Sequence, residues 1–212
     1  MIADKTRNYK GTILTGLFIM TVGYFLLSIP TEASTMNLVL ACASLFVIAF
    51  GNGLFKGNLQ ALVGQMYDNP EYKDKRDSGF SIFYMFINVG AIFAPIFAIG
   101  VRNWWLEKNG FQYNADLPAL CHSFKNNTIT ADAMTSLQNL ANQVSGSNVT
   151  DMSAFVTQYL DVFSTGFHYA FATAIFALLI SITIFIINKK FFPDPKSKHA
   201  AASSDNIEMD IK

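Results

Sequence analysis

Lys56, within Gly51-Asn52-Gly53-Leu54-Phe55-Lys56-Gly57-Asn58, is the one formal charge inside the four apolar runs of this 212-residue chain. A lysine at the centre of a bilayer costs about 2.5–3.5 kcal/mol to insert, so such a residue faces a watery cavity or an ionic partner. Asn52, Lys56 and Gln60 follow one another at steps of four and share a narrow helical face. In the third run Ser81, Tyr84, Asn88, Ala91 and Pro95 alternate by three and four and share a second face. Lys56 lies ten residues before Met66, and Asn88 nine after Gly79. At 1.5 Å per residue both sit roughly 15 Å deep, beyond easy snorkelling. An ammonium and a carboxamide at matching depth suit a zwitterionic or anionic solute: one attracts a carboxylate, the other donates and accepts hydrogen bonds. The structural alternative pairs Lys56 with an acid and Asn88 with a neighbouring helix, but no Asp or Glu falls in any apolar run.

Four helices must position these residues. Gly11–Ile29, Asn37–Met66, Gly79–Val101 and Phe167–Ile187 each reach the roughly 20 apolar residues that cross a bilayer. The predicted fold is therefore all-α and integral to the membrane. Lys5, Arg7, Lys10, Lys73, Lys75, Arg76, Lys189, Lys190, Lys196, Lys198 and Lys212 fall on one side if both termini are cytoplasmic. The other side holds Arg102, Lys108 and Lys125, so the basic residues predict that orientation in a cell membrane. The first apolar run is too long for a cleavable signal peptide. Equal numbers of acidic and basic residues, 15 each, give no nucleic-acid footprint. Cys42 in a span and Cys121 in the outer loop predict no internal disulfide. No metal cluster, nucleophilic triad or phosphate loop is present, so neither a metal nor an enzymatic activity is expected.

Residues 1–101 thus read as three spans with their inner loops, 102–166 as an outer loop, 167–188 as the fourth span and 189–212 as a cytoplasmic tail. Pro70 is expected to stop the helix before the inner link, and Pro95 to kink the third span. Trp104 and Trp105 mark the outer interface, and His168 is expected beside it at the edge of the last span. Met134, Leu137, Leu140, Ala141 and Val144 recur at helical spacing after Thr130, a suitable N-cap. A turn at Ser145-Gly146-Ser147 separates them from a second run, Met152 to Phe163, predicting a small helical cap of two pieces. Pro193, Pro195 and the polar stretch to Lys212 read as a linker.

Gly51 to Asn58, followed by Arg76-Asp77-Ser78-Gly79-Phe80-Ser81-Ile82-Phe83-Tyr84-Met85-Phe86-Ile87-Asn88-Val89-Gly90-Ala91-Ile92-Phe93-Ala94-Pro95, closely resembles the proton-coupled oligopeptide transporter family of the major facilitator superfamily. The two stretches are similar to the family's fourth- and fifth-helix signatures. Ile2-Ala3-Asp4-Lys5-Thr6-Arg7, with Lys10 and Gly11, resembles its loop between helices two and three. The resemblance covers family helices three to six, part of an N-terminal helix bundle, with Gly57 where the family has proline. It implies symport of di- and tripeptides with protons, with the proton gradient as driving force and no cofactor. Lys56 matches the lysine of peptide binding and proton coupling, and Asn88 the asparagine that contacts the peptide. Tyr84 and Phe83 fall near the pocket wall, and Asn52 and Gln60 share the face of Lys56. The family's first-helix acidic motif and C-terminal half are not in these 212 residues. The chain alone is thus expected not to transport, and its partners include the missing N- and C-terminal transporter segments.

Two other functions fit the same residues. A lysine serves any small anionic or zwitterionic solute, such as an amino acid or nitrate. A four-helix membrane adaptor that binds a partner through its outer cap would explain the structured loop, though not the central lysine.

Overall fold

A computed structural model describes residues 8–30, 35–68 and 70–193. The loop motif before Asn8 and the tail beyond Pro193 lie outside the described residues. The regular elements of the described residues are all helices: α1 (Tyr9–Ser28), α2 (Thr35–Met66), α3 (Arg76–Lys108), α4 (Leu117–Lys125), α5 (Ala131–Ser145) and α6 (Met152–Asn188), with single 3-10 turns at Lys73–Lys75 and Lys189–Phe191. Of these, α1, α2, α3 and α6 are long and apolar enough to cross a membrane.

Helices α1 and α2 run antiparallel in close contact, and small residues make that possible. A Cβ on Gly16 would stand 2.8 Å from the Gly51 carbonyl oxygen, and one on Gly51 would stand 2.8 Å from the Met20 nitrogen. Further along, Gly23 lies against Ile48 and the Ser44 carbonyl. Ser44 is fully buried there and donates to the Leu40 carbonyl at 2.7 Å, so its hydroxyl is satisfied within its own helix. Helix α6 packs along α1, and Phe185 joins Ile13, Leu17, Met20 and Leu62 in the core of this three-helix group.

His168 joins two helices. Its Nδ1 stands 2.6 Å from the Leu27 carbonyl oxygen. A carbonyl only accepts, so Nδ1–H donates to it. Leu27 lies in the last turn of α1, where carbonyls lack helical donors, so the imidazole caps that end from a neighbouring helix.

Helix α3 behaves differently. It meets α2 near its start, where Phe80 and Arg76 reach Gly64 and the Tyr67 ring covers Gly79. It meets α6 near its end, where Trp105 packs edge-on to Tyr169 at 4.7 Å and Gly166 admits Arg102. Between these ends its apolar side chains, from Met85 to Phe97, are exposed. Pro95 lies inside this continuous helix.

The cap is built from α4, α5 and the first turns of α6 around Leu106, Phe111, Leu137, Phe155 and Tyr159. Thr130 Oγ1 accepts from the Ala133 amide at 3.4 Å and starts α5 as expected. Gly146 ends that helix in the left-handed region at φ 64°, where a side chain would be strained. One expectation is corrected: the run from Met152 to Phe163 is no separate cap helix but opens α6, which continues unbroken to Asn188. Helix α3, which contains the third apolar run, continues past Trp104 and Trp105 to Lys108. Helix α4 was not expected; Asn114 starts it by accepting from the amides of Asp116 and Leu117 at 2.9 and 3.0 Å.

Cys121 of α4 is fully buried in the cap, and burial pushes its thiol pKa up to about 12. The folded cap therefore keeps this proton at pH values where an unfolded chain loses it. Stability contributed by the neutral thiol is complete below the ordinary thiol pKa and falls as pH rises from there towards 12. We expect Cys121 to resist iodoacetamide at pH 8 until the protein is denatured, and Trp105 fluorescence to show the cap loosening only in the alkaline range. Rapid alkylation of Cys121 in the folded protein, read by peptide mass, would contradict this.

Candidate functional site

The face that carries Lys56 is set by how α2 divides its residues. Gly51, Leu62 and Gly64 are buried, the first against α1, whereas Asn52 and Lys56 are exposed and Gln60 half-buried. The close glycine contact with α1 and the polar stripe thus occupy different sides of one helix. On α3, Phe83 is half-buried while Tyr84 and Asn88 are exposed.

The two stripes meet at one point. Gln60 Nε2 donates to the Tyr84 hydroxyl oxygen at 3.1 Å, joining residues 24 apart in sequence. Around it Tyr84 makes an edge contact with Phe83 at 5.6 Å and a stacked contact with Phe80 at 6.5 Å. A net hydrogen bond of this kind contributes about 0.5–1.5 kcal/mol, enough to fix a side chain without locking two helices together. The Tyr84 hydroxyl keeps a donor position of its own for a solute.

Among the described residues no hydrogen bond or ion pair engages Lys56, Asn52 or Asn88. Asn58, by contrast, turns its amide back onto the Leu54 carbonyl at 2.6 Å and is spent within α2. Lys56 and Asn88 stand on open helix surface rather than in an enclosed cavity, because α3 touches α2 only near its start. The two stripes carry an ammonium, three carboxamides and a phenol on exposed or half-buried side chains, of which Gln60 and Tyr84 are oriented towards each other. It holds no nucleophile activated by a base, and no three His, Cys, Asp or Glu gather to hold a metal among the described residues.

A second polar centre, not singled out from the sequence, lies at the far end of α3. The Arg102 guanidinium sits 3.7 Å over the Tyr113 ring and 5.4 Å from Phe167, and donates to Asn103 Oδ1 at 3.1 Å. It ties the cap's first loop to α3 and α6, a cation–π arrangement that positions rather than binds. The sequence signal available for it was the Gly166-Phe167 pair, whose glycine leaves room for the arginine stem.

Comparison with known proteins bears on this face. Over 101 residues the chain is 38% identical to the dipeptide and tripeptide permease B of Photorhabdus asymbiotica, a match that covers 46% of the chain and 19% of the permease. Over 95 residues it is 33% identical to a di-/tripeptide transporter of Lactococcus lactis, covering 45% of the chain and 18% of that transporter. The chain thus spans about a fifth of the length of these relatives. No solved structure matches. The sequence profile of the POT family matches residues 10–207, from the first turn of α1 through both polar stripes and the cap to the segment beyond α6. With nearly the whole described chain inside that match, the chain belongs to the POT family.

Proposed function

We propose that this chain forms the peptide-contacting part of a proton-coupled di- and tripeptide symporter of the major facilitator type, in the cell membrane with both chain ends on the cytoplasmic side. The observation that carries the reading is Lys56: an exposed ammonium, without a partner among the described residues, near the middle of an apolar helix and beside the oriented Gln60–Tyr84 pair. A peptide's carboxylate is held by Lys56, and its backbone amides or amino end by Asn88 and Asn52. Tyr84 and Phe83 wall the pocket, and Lys56 takes part in proton coupling. Segments outside this chain complete the cavity and supply proton-accepting acids, and two helix bundles rock about the bound peptide to expose it alternately on each side.

The test uses the complete transporter that contains this chain, reconstituted in vesicles with an inward proton gradient. A labelled dipeptide is expected to accumulate above equilibrium, to leak away on adding a protonophore, and to be competed by tripeptides but not by free amino acids. Equal competition by amino acids or nitrate would replace the peptide with another small anionic or zwitterionic solute. Absence of any uptake would favour a membrane adaptor.

A further inference from the structure

The first turn of α1 and the last turn of α6 meet at the end of the bundle opposite the cap. Between them lies an open cavity of about 440 Å³, lined by Asn8, Lys10, Ile186, Ile187, Lys189 and Lys190. Three of these six side chains are ammonium groups and none is acidic. Lys10 is buried and keeps a contact within the chain, so Lys189 and Lys190, both exposed, supply the accessible charge. Asn8 spends its side-chain oxygen on the Gly11 amide at 2.8 Å and leaves the cavity's electrostatics to the lysines. The positive end of α1 and the negative end of α6 both lie here and offset each other, so the lysines set the sign of the cavity.

The other wall is apolar. Ile186 and Ile187 are 55% and 65% exposed, on a helix long and apolar enough to cross a membrane. A soluble anion would use the ammonium groups but not this wall. A ligand with a negative head and hydrocarbon tails uses both, and the cavity lies at the ends of two helices long and apolar enough to cross a membrane. We propose that this cavity holds the phosphate-bearing headgroup of an anionic membrane lipid, with its acyl chains along Ile186 and Ile187. Basic clefts between spanning helices are suited to such headgroups, and each lysine near the surface raises affinity roughly fivefold. The site is separate from the Lys56 face and does not rest on peptide transport.

Native mass spectrometry of the full chain in detergent, with phosphatidylglycerol or phosphatidylcholine added, tests this. We expect one phosphatidylglycerol to be retained in clear preference to phosphatidylcholine. The K189Q/K190Q variant should lower that affinity by roughly 25-fold. K73Q/K75Q, the same charge change near the same end of the bundle, should leave it within about twofold. Circular dichroism checks that both variants keep their helicity. Lipid selectivity of the unaltered chain stands as a test even if a variant misfolds. Equal retention of the two lipids overturns the proposal, as does equal loss in both variants. Binding of inorganic phosphate as tight as that of phosphatidylglycerol overturns it too, and identifies a soluble anion as the ligand.

Discussion

Lys56→Ala in the complete transporter is expected to abolish proton-driven dipeptide uptake, a fall of at least about 25-fold. Removing one partner of a desolvated charge pair costs about 2–5 kcal/mol, and each 1.4 kcal/mol is a factor of ten. The loss should fall on coupled uptake as well as on affinity, because the same ammonium is asked to hold the carboxylate and take part in proton coupling. Lys56→Arg keeps the charge but replaces a compact ammonium with a planar fork, so it should bind peptide yet transport poorly. Tyr84→Phe provides the contrast. It removes the hydroxyl that accepts from Gln60 at 3.1 Å and should cost only a few-fold, mainly in KM. Normal gradient-driven uptake by the Lys56→Ala protein would remove Lys56 from the site.

The second large effect is on stability and concerns the crossing of α1 and α2. Gly51→Val places a branched side chain where a single Cβ would already stand 2.8 Å from the Gly16 carbonyl oxygen and from the Met20 backbone nitrogen. Neither neighbour is a flexible side-chain tip, so relief requires the helices to separate. Overpacking of this kind costs about 1–3 kcal/mol, which for a chain of this size lowers Tm by roughly 3–10 °C. Gly53→Ala and Gly57→Ala are the controls, because nothing lies within 4 Å of a Cβ at either position. Their melting temperatures in detergent should stay close to that of the unaltered chain. A Gly51→Val protein as stable as these controls would mean that α1 and α2 do not cross as closely as described.

The parts of this architecture that could be read from the chain are those written in long patterns. Four apolar runs are visible because roughly 20 residues of uniform character leave no other solution, and the opposed polar stripes announce themselves by their spacing. The meeting of those stripes at Gln60 and Tyr84 follows from that spacing. The exposure of Lys56 and Asn88 does not, because matching depth along two helices says nothing of how closely those helices pack. The ends of the helices were harder to place. The boundary expected between the outer loop and the fourth span falls at Gly166-Phe167, yet Gly166 lies within α6 and packs against Arg102 and Trp105. Helix α4 spans only 9 residues. Its signal was present in the Asn114 start and in Leu117, Leu120, Cys121 and Phe124 at helical spacing, but the run is too short to stand out from a polar loop. The His168–Leu27 bond links residues 141 apart, and no local pattern encodes it.

The unbroken course of α6 makes it a shared strut. Its 37 residues form a rod about 55 Å long at 1.5 Å per residue. One end is held in the cap core by Phe155 and Tyr159, and Phe185 near the other is held against α1 and α2. Gly166 and His168 add contacts to α3 and α1 between them. With no loop between cap and span to absorb a change of angle, the two share one helix axis.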